Sequence, residues 1–316
     1  PSYPGASVAP ENFGKRWVGA KGLAEDVLRY GSWLRDEAER RIGHLYPRIK
    51  IADDMATGRP DLRGYVGNEL TVIAWLWART VHSQNPAFSH VQVPLASSFV
   101  LSRKPGNEAW VEPVLSGDRY SFVVRTGLGP ETASAGTKAA GRGAQFRCLL
   151  SGTPLEADHI RQEAQQARMG ARLMAIVAEG QRGRVFLSPT EGAEAAANTA
   201  SPSWTPDVEF FPKALGFRVG KYGMRSWSDV FTARQLVALN TYSELIDEMR
   251  DRVCRDAVGI GLADDGRGLD DNGTGAQAYS DALAIYSALA LTKAADLASS
   301  LCRWQSNAQH LKIAPT

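Results

Sequence analysis

The first third of the chain carries an apolar pattern with a helical repeat. Between residues 23 and 45, apolar positions recur three and four residues apart, which places them on one face of an α-helix of about six turns. The residues on this face are Leu23, Val27, Tyr30, Leu34, Ala38, Ile42 and Leu45. Pro47 ends the helix because proline cannot continue the backbone hydrogen bonding.

From about residue 70 the pattern changes to β-branched and aromatic runs separated by Gly, Pro and Asn. The runs are LTVIAWLWART (70–80), VQVPLASSFVLS (91–102), AWVEPVLS (109–116) and RYSFVVRTG (119–127). They predict a small antiparallel β region. Residues 127–143 are rich in Gly, Ala and Thr without an apolar period, which predicts a mobile loop or hairpin tip before the short strand AQFRCLL.

The second half of the chain predicts further helices. The stretch DHIRQEAQQARMGARLMAIVAEG (158–180) is interpreted as one helix, with Met169, Leu173, Ile176 and Val177 on its buried face. The strand GRVFLSP and an extended connector over 189–226 follow. Thr232 and Gln235 form a capping box that starts another helix. The last helix, over 279–299, is apolar nearly all round, which predicts burial in a larger assembly.

Together these elements predict an α+β fold, in which helical blocks at both ends flank a small antiparallel β subdomain. Because 316 residues exceed the usual size of one compact core, we expect several segments. They are an N-terminal helical segment (1–69), a β-rich subdomain with a basic helix (70–190), and a connector with a C-terminal helical segment (191–316).

Composition adds little about function. The net charge of +2 is too small to indicate a nucleic-acid partner. The three cysteines, Cys148, Cys254 and Cys302, lie too far apart for a local disulfide framework, which favours a reducing compartment. Neither an 18-residue apolar run nor a signal peptide is present, so we expect a cytoplasmic protein. The proline-rich start without methionine predicts a piece of a longer polypeptide.

The predicted helix over 158–180 is the most basic part of the chain. Its arginines Arg161, Arg168 and Arg172 are spaced seven and four residues apart, which places them along one flank. Arg182 and Arg184 follow on a glycine-rich turn, and residues 136–184 hold eight basic against four acidic side chains. This pattern suits phosphate contacts. A solubilising face with internal ion pairs is the alternative.

Metal sites receive little support from the sequence. The acidic loop with Asp264, Asp265, Asp270 and Asp271 lacks EF-hand spacing, so a solvated turn is favoured over calcium binding. His82 and His90 could join Cys148 around zinc, but a fourth ligand has no obvious donor. The stretch RCLLSGTP (147–154) is shaped like a zinc knuckle, yet Ser151 stands where the second cysteine would be.

Longer strings point to a family. GAKGLAEDVLRYGSWLRDEAERRIGHLYP, LTVIAWLWART, ARMGARLMAIVAEGQRGRVFLSPT, DVFTARQLVAL and ADDGRGLDDNGTGAQAYSDALAIYSALAL lie between about residue 16 and the end of the chain. Together they closely resemble the large adenine-specific DNA methylases that contain a zinc ribbon. The resemblance implies S-adenosylmethionine-dependent methylation of the exocyclic N6 of adenine in DNA.

The same resemblance implies a central segment of such an enzyme. The family's cofactor motif D-P-F-A-G-G-G is expected before this region and its catalytic D-P-P-Y after it, and neither occurs here. No catalytic residue is therefore assigned, and we expect no bound S-adenosylmethionine. Residues 70–190 are the candidate target-recognition region, because a base must be flipped and its flanks gripped before methylation. Arg161, Arg168, Arg172, Arg182 and Arg184 would contact DNA.

The resemblance also locates four former zinc ligands. Relatives carry two cysteine pairs at the positions that Ser83, Phe88, Cys148 and Ser151 occupy here. It implies a degenerate zinc ribbon without metal, with Phe88 filling the metal volume and Cys148 a free, buried thiol.

Expected partners are DNA, the remaining domains of the parent methylase and defence-system proteins, with no membrane. The alternative is a non-catalytic scaffold that docks other subunits of a restriction or anti-phage defence assembly through the helix 279–299.

Overall fold

A computed structural model of the protein describes residue 8 and residues 19–139, 145–211, 218–306 and 311–314, the last four as backbone. Its α-helices are α1 (Lys21–Ile42), α2 (Glu131–Ala135), α3 (Ala157–Gln165), α4 (Glu191–Asn198), α5 (Ala233–Gly259) and α6 (Ala276–Leu297). The six 3₁₀ segments among the described residues lie at Gly43–Leu45, Asp54–Ala56, Pro60–Tyr65, Pro86–Phe88, Val219–Tyr222 and Trp227–Val230.

The β-strands are all paired antiparallel, and the fold is α+β as predicted. They are β1 (Ile49–Lys50), β2 (Glu69–Leu70), β3 (Val72–His82), β4 (Gln92–Pro94), β5 (Val100–Ser102), β6 (Ala109–Ser116), β7 (Arg119–Thr126), β8 (Phe146–Arg147), β9 (Pro154–Leu155), β10 (Gly170–Gly180), β11 (Gly183–Leu187), β12 (Arg303–Ser306) and β13 (Leu311–Ala314). The largest sheet has the order β11-β10-β3-β4, and a second has the order β5-β6-β7.

The chain divides into two compact units rather than the three consecutive segments 1–69, 70–190 and 191–316. The helical unit comprises Pro1–Leu45, Ala200–Thr205 and Phe231–Ser299, and the β unit comprises Tyr46–Thr199, Pro206–Val230 and Ser300–Thr316. The reason is a shared core: α1, α5 and α6 come from opposite ends of the chain but bury their apolar faces in one cluster.

The helical unit confirms the amphipathic pattern of α1. Tyr30, Leu34 and Ala38 are buried against α5 and α6. At the start of α5 the Thr232 side chain accepts from the Gln235 amide, and the Gln235 side chain accepts from the Thr232 amide, which completes the predicted capping box. Asp26 is fully buried, and its carboxylate accepts hydrogen bonds from the Val8 amide at 2.7 Å and the Tyr279 hydroxyl at 2.6 Å. These two donors offset the cost of burying a carboxylate.

In the β unit, the four-stranded sheet is covered on both faces. Ala175 and Val177 of β10 pack toward the sheet β5-β6-β7, whereas Leu173, Ile176 and Ala178 face residues 49–70 and α4. Residues two apart in a regular strand face the same side, but Leu173 and Ala175 face opposite sides because the strand register shifts between them.

The predicted helix over 158–180 is wrong in its second half. Only α3 is helical, and residues 170–180 form the central strand β10. A strand buried on both faces reads as a continuous apolar run, which periodicity cannot distinguish from a buried helix. Ala167, with a φ of 54°, marks the turn between the helix and the strand.

Two segments predicted to be a mobile loop or hairpin tip and an extended connector contain regular structure. The loop predicted over 127–143 contains α2. Buried Thr137 donates to the Pro94 carbonyl at 2.6 Å, and this hydrogen bond attaches the residues after α2 to the end of β4. Residues 140–144 of that loop lie outside the described residues. The connector predicted over 189–226 begins with α4, whose first turn Thr190 caps by accepting from the Ala193 amide.

Candidate nucleic-acid interface

The three arginines predicted to share a helix flank lie on three different elements. Arg161 is on α3, Arg168 is in the turn that follows, and Arg172 is on β10. Each of the three faces a carboxylate. Arg161 Nη1 lies 2.5 Å from Asp158, and Arg168 is hydrogen-bonded to Glu163. Arg172 Nε lies 3.7 Å from Glu194. The predicted basic stripe is therefore wrong, and these three arginines follow the alternative of internal ion pairs.

Glu163 is the centre of a polar cluster that the sequence did not reveal. Its carboxylate is almost fully buried, accepts from Arg168 Nε at 2.9 Å, and lies 2.9 Å from His82 Nδ1. The amide of Gln92 meets the other ring nitrogen of His82 at 2.7 Å, so Nδ1 is the protonated position of the neutral ring. Burial raises the pKa of Glu163, but the bonds from Arg168 and His82 outweigh it and lower the pKa.

This lowered pKa predicts an acid-sensitive contribution to stability. A carboxyl with a lowered pKa in the folded state stabilises above its unfolded pKa of about 4.3, and that stabilisation is lost as pH falls through the folded pKa. Glu163→Gln should lower the free energy of unfolding at pH 7 by about 2 kcal/mol. The gap between wild type and variant should close below about pH 4.

Urea denaturation of both proteins between pH 3 and pH 7 measures this gap. Glu112→Gln is the matched control, because Glu112 pairs with Arg125 at the surface and should change stability little at any pH. A gap for Glu163→Gln that stays constant across the range would contradict the assigned role of the carboxylate.

The stretch RCLLSGTP forms a tight turn between β8 and β9. The Cys148 amide donates to the Thr153 carbonyl at 2.9 Å, and the Gly152 amide donates back to the Cys148 carbonyl at 2.9 Å. Cys148 is 2% exposed and forms no disulfide, which confirms the prediction of a free, buried thiol.

The Cys148 sulfur brings together three of the four positions that the resemblance identified as former zinc ligands. Burial raises the pKa of its thiol, but hydrogen bonds from the Ser151 hydroxyl, the Ser151 and Leu150 amides and the Ser83 hydroxyl outweigh it and lower the pKa. Phe88, the fourth position, packs in the same apolar cluster as Leu149 and Leu150. One thiol, two hydroxyls and a phenyl ring are not a donor set for zinc.

The other metal sites weighed from the sequence do not assemble. His90 lies 3.2 Å from Asp118, whereas His82 faces Glu163, so the two histidines do not join Cys148. In the acidic loop, Asp264 and Asp265 accept backbone amides of the loop itself, as in a solvated Asx turn. Among the described residues, no three His, Cys, Asp or Glu side chains converge as a metal site would require.

Arg182 and Arg184 do share a surface, and the structure adds neighbours that the sequence did not identify. Arg182 is exposed in the turn from β10 to β11, and the Arg184 guanidinium lies over the Trp304 ring at 5.1 Å. Asn107 Nδ2 donates to the Arg184 carbonyl at 3.1 Å, which brings the turn containing Arg103 and Lys104 beside β11.

We define the basic patch as Arg103, Lys104, Arg182 and Arg184 around Trp304. The Arg103 amide donates to the Ser306 carbonyl at 2.9 Å, which fixes β12 and Trp304 beside this turn. Glu179, the cross-strand partner of Arg184, is its acidic neighbour. In the sequence, the adjacent basic residues of SRKPGN were the only local signal of Arg103 and Lys104.

Charge is divided unequally between the two units. The β unit holds 23 basic and 17 acidic residues, a net charge of +6, whereas the helical unit holds 13 basic and 17 acidic residues, a net charge of −4. The small total of +2 conceals this division. A polyanion is therefore attracted to the β unit and repelled by the helical unit.

The chain matches no protein-family model, and comparison with curated proteins and with solved structures gives no significant match. The resemblance to adenine methylases therefore stays a prediction carried by the strings quoted above. Within the described residues, no helix combines the length and apolar character that crossing a bilayer requires.

Proposed function

We propose that the β unit contacts the DNA backbone as the recognition segment of an S-adenosylmethionine-dependent DNA adenine N6-methyltransferase. The observation that carries the DNA contact is the segregation of charge, with +6 on the β unit and −4 on the helical unit. Phosphate contacts supply most of the affinity of such segments, and they depend on where cations cluster.

The basic patch is the part of the β unit that we assign to these contacts. Guanidinium groups bind phosphate oxygens in a bidentate manner, and Arg184 is held for this by its position over Trp304. Arg182, in the turn beside it, has no ion-pair partner among the residues that the structure describes. Arg161, Arg168 and Arg172 are instead assigned to ion pairs within the β unit.

The methylation chemistry belongs, in this proposal, to the parent enzyme. The family strings support it, and no residue of this chain is assigned to catalysis or to S-adenosylmethionine. The degenerate zinc ribbon is proposed for the turn around Cys148, which the hydroxyls of Ser83 and Ser151 join. A cytoplasmic location and association with the other methylase domains follow from the same proposal.

The test is equilibrium binding of a fluorescein-labelled 20-base-pair duplex, followed by polarisation at several salt concentrations. We expect affinity to fall steeply with salt, because each phosphate contact releases counterions. Absent binding, or binding that is insensitive to salt, would contradict the proposal.

A second candidate function is the non-catalytic scaffold, and the surface of α6 favours it. Ile285, Tyr286 and Leu289 are each at least half exposed, so the residues that the structure describes leave the middle of this apolar helix partly uncovered. Exposed apolar side chains of this size are typical of protein contacts. Light scattering that finds a dimer, dissociated by Leu289→Lys, would support the scaffold, and a monomer at all concentrations would count against self-association.

A further inference from the structure

A short ribbon in the β unit lies outside the basic patch. The Trp227 amide donates to the Val208 carbonyl at 3.1 Å, and the Phe210 amide donates to the Arg225 carbonyl at 2.8 Å. Between these bonds, Glu209 and Ser226 form an antiparallel bridge. Side chains alternate between faces along such a ribbon, so Val208, Phe210, Arg225 and Trp227 share one face.

This ribbon exposes large apolar side chains. Trp227 is 49% exposed, Val208 is 61% exposed, and Phe211 on the opposite face is 83% exposed. The Phe210 ring meets the Trp227 ring edge-on, with centroids 4.9 Å apart and planes at 72°. This contact fixes the orientation of the indole while leaving about half of its surface in solvent.

Basic side chains accompany the exposed rings. Arg225 lies on the same face as Trp227, and Arg218 and Lys221 are exposed in and beside the preceding 3₁₀ turn. Neither Arg218 nor Lys221 forms an ion pair within the described part of the chain. Tyr222 packs in the cluster around Cys148, and this packing holds the turn against the β unit.

Exposed rings and exposed cations in the same stretch of chain fit nucleic acid better than a purely apolar ligand. Nucleic-acid bases offer flat faces that stack on aromatic side chains, and their phosphates attract the neighbouring cations. A duplex hides its base faces in the helical stack, so the ligand must contain unpaired nucleotides. Asp229, whose carboxylate accepts from the Arg225 amide at 2.7 Å, is the acidic neighbour of this face.

We propose that the ribbon 208–210 and 225–227 binds unpaired nucleotides, with Trp227 as the stacking platform and Arg218, Lys221 and Arg225 as phosphate contacts. This inference rests on the proposed function in taking nucleic acid as the polyanion. It concerns a different surface from the basic patch, and it extends the function from duplex contacts to single-stranded or flipped-out bases.

The experiment measures binding of labelled twelve-nucleotide dT and U oligomers, and of the labelled duplex, to the full chain. Trp227→Ala should weaken oligomer binding about tenfold, whereas Trp227→Phe should retain most of it because a phenyl ring still stacks. Trp204→Ala is the matched control, since Trp204 is a 64% exposed tryptophan of the helical unit. The ratio of dT to U binding identifies the preferred sugar.

The outcomes separate the two proposals. If the chain binds the duplex and the Trp227→Ala variant still binds the oligomers as tightly as wild type, the ribbon inference is overturned and the proposed function stands. No oligomer binding by wild type would overturn it as well. Oligomer binding that depends on Trp227, with no duplex binding at any salt, would support the ribbon inference and overturn the proposed duplex contact.

Discussion

Replacing Arg182 and Arg184 together by alanine is expected to weaken binding of the 20-base-pair duplex at least about tenfold at 0.1 M salt. The physical reason is the loss of two phosphate contacts, one from the exposed Arg182 and one from the half-buried Arg184 over Trp304. The slope of log affinity against log salt should fall by about two, because each lost contact removes close to one released counterion. Fluorescence polarisation at four salt concentrations measures both quantities.

The control for this variant is Arg125→Ala combined with Arg161→Ala. These two arginines are also partly exposed, but Glu112 and Asp158 already neutralise them at 2.6 and 2.5 Å. The control removes the same formal charge and should change the affinity and the salt slope much less. Equal losses of affinity in the two double variants would show that duplex binding depends on net charge alone and that the basic patch makes no specific contact with the duplex.

A second large effect is expected at the turn around Cys148. Changing Ser83, Phe88 and Ser151 together to cysteine should create a site that binds about one zinc per chain, because Ser151 lies in the same turn as Cys148 and Ser83 follows Val81, which packs in the same cluster as Cys148. A structural zinc contributes on the order of 10 kcal/mol, so the melting temperature of the variant should rise when zinc is added. Elemental analysis and thermal unfolding measure the two effects.

The matched control adds Cys148→Ser to the same three changes, which removes one thiolate and should weaken zinc binding strongly. The wild-type chain should contain no zinc after dialysis. Failure of the triple variant to bind zinc, while it still folds, would contradict a ribbon-like arrangement of these four positions. Zinc in the wild-type chain would contradict the prediction that the site has lost its metal.

The sequence pattern identified the helices and strands that bury only one face, because their apolar residues recur at a regular spacing. The amphipathic α1, the capping box of α5 and the hairpin β6-β7 are all confirmed within a few residues. The central strand β10 was missed because both of its faces are buried, which removes the alternation that distinguishes a strand. Its neighbours in the sheet lie up to about a hundred residues away in sequence, so no local window contains the information.

The candidate site depended even more on long-range contacts. Arg182 and Arg184 were identified from their glycine-rich turn, but Trp304, which supports Arg184, lies 120 residues further along the chain. The arginines at 161, 168 and 172 were misassigned because their spacing carries meaning only on a continuous helix. Ser83 and Cys148 lie near each other because Val81 of β3 packs in the same cluster as Cys148, a contact between distant parts of the sequence that no local pattern shows.

We propose that the β unit, and not the helical unit, contacts DNA. Ultraviolet crosslinking of the chain to a bromodeoxyuridine-substituted duplex, followed by mass spectrometry of the crosslinked peptides, tests it most directly. We expect crosslinks in peptides that contain Lys104, Arg182 or Trp304. Crosslinks confined to peptides from α5 and α6 would contradict it.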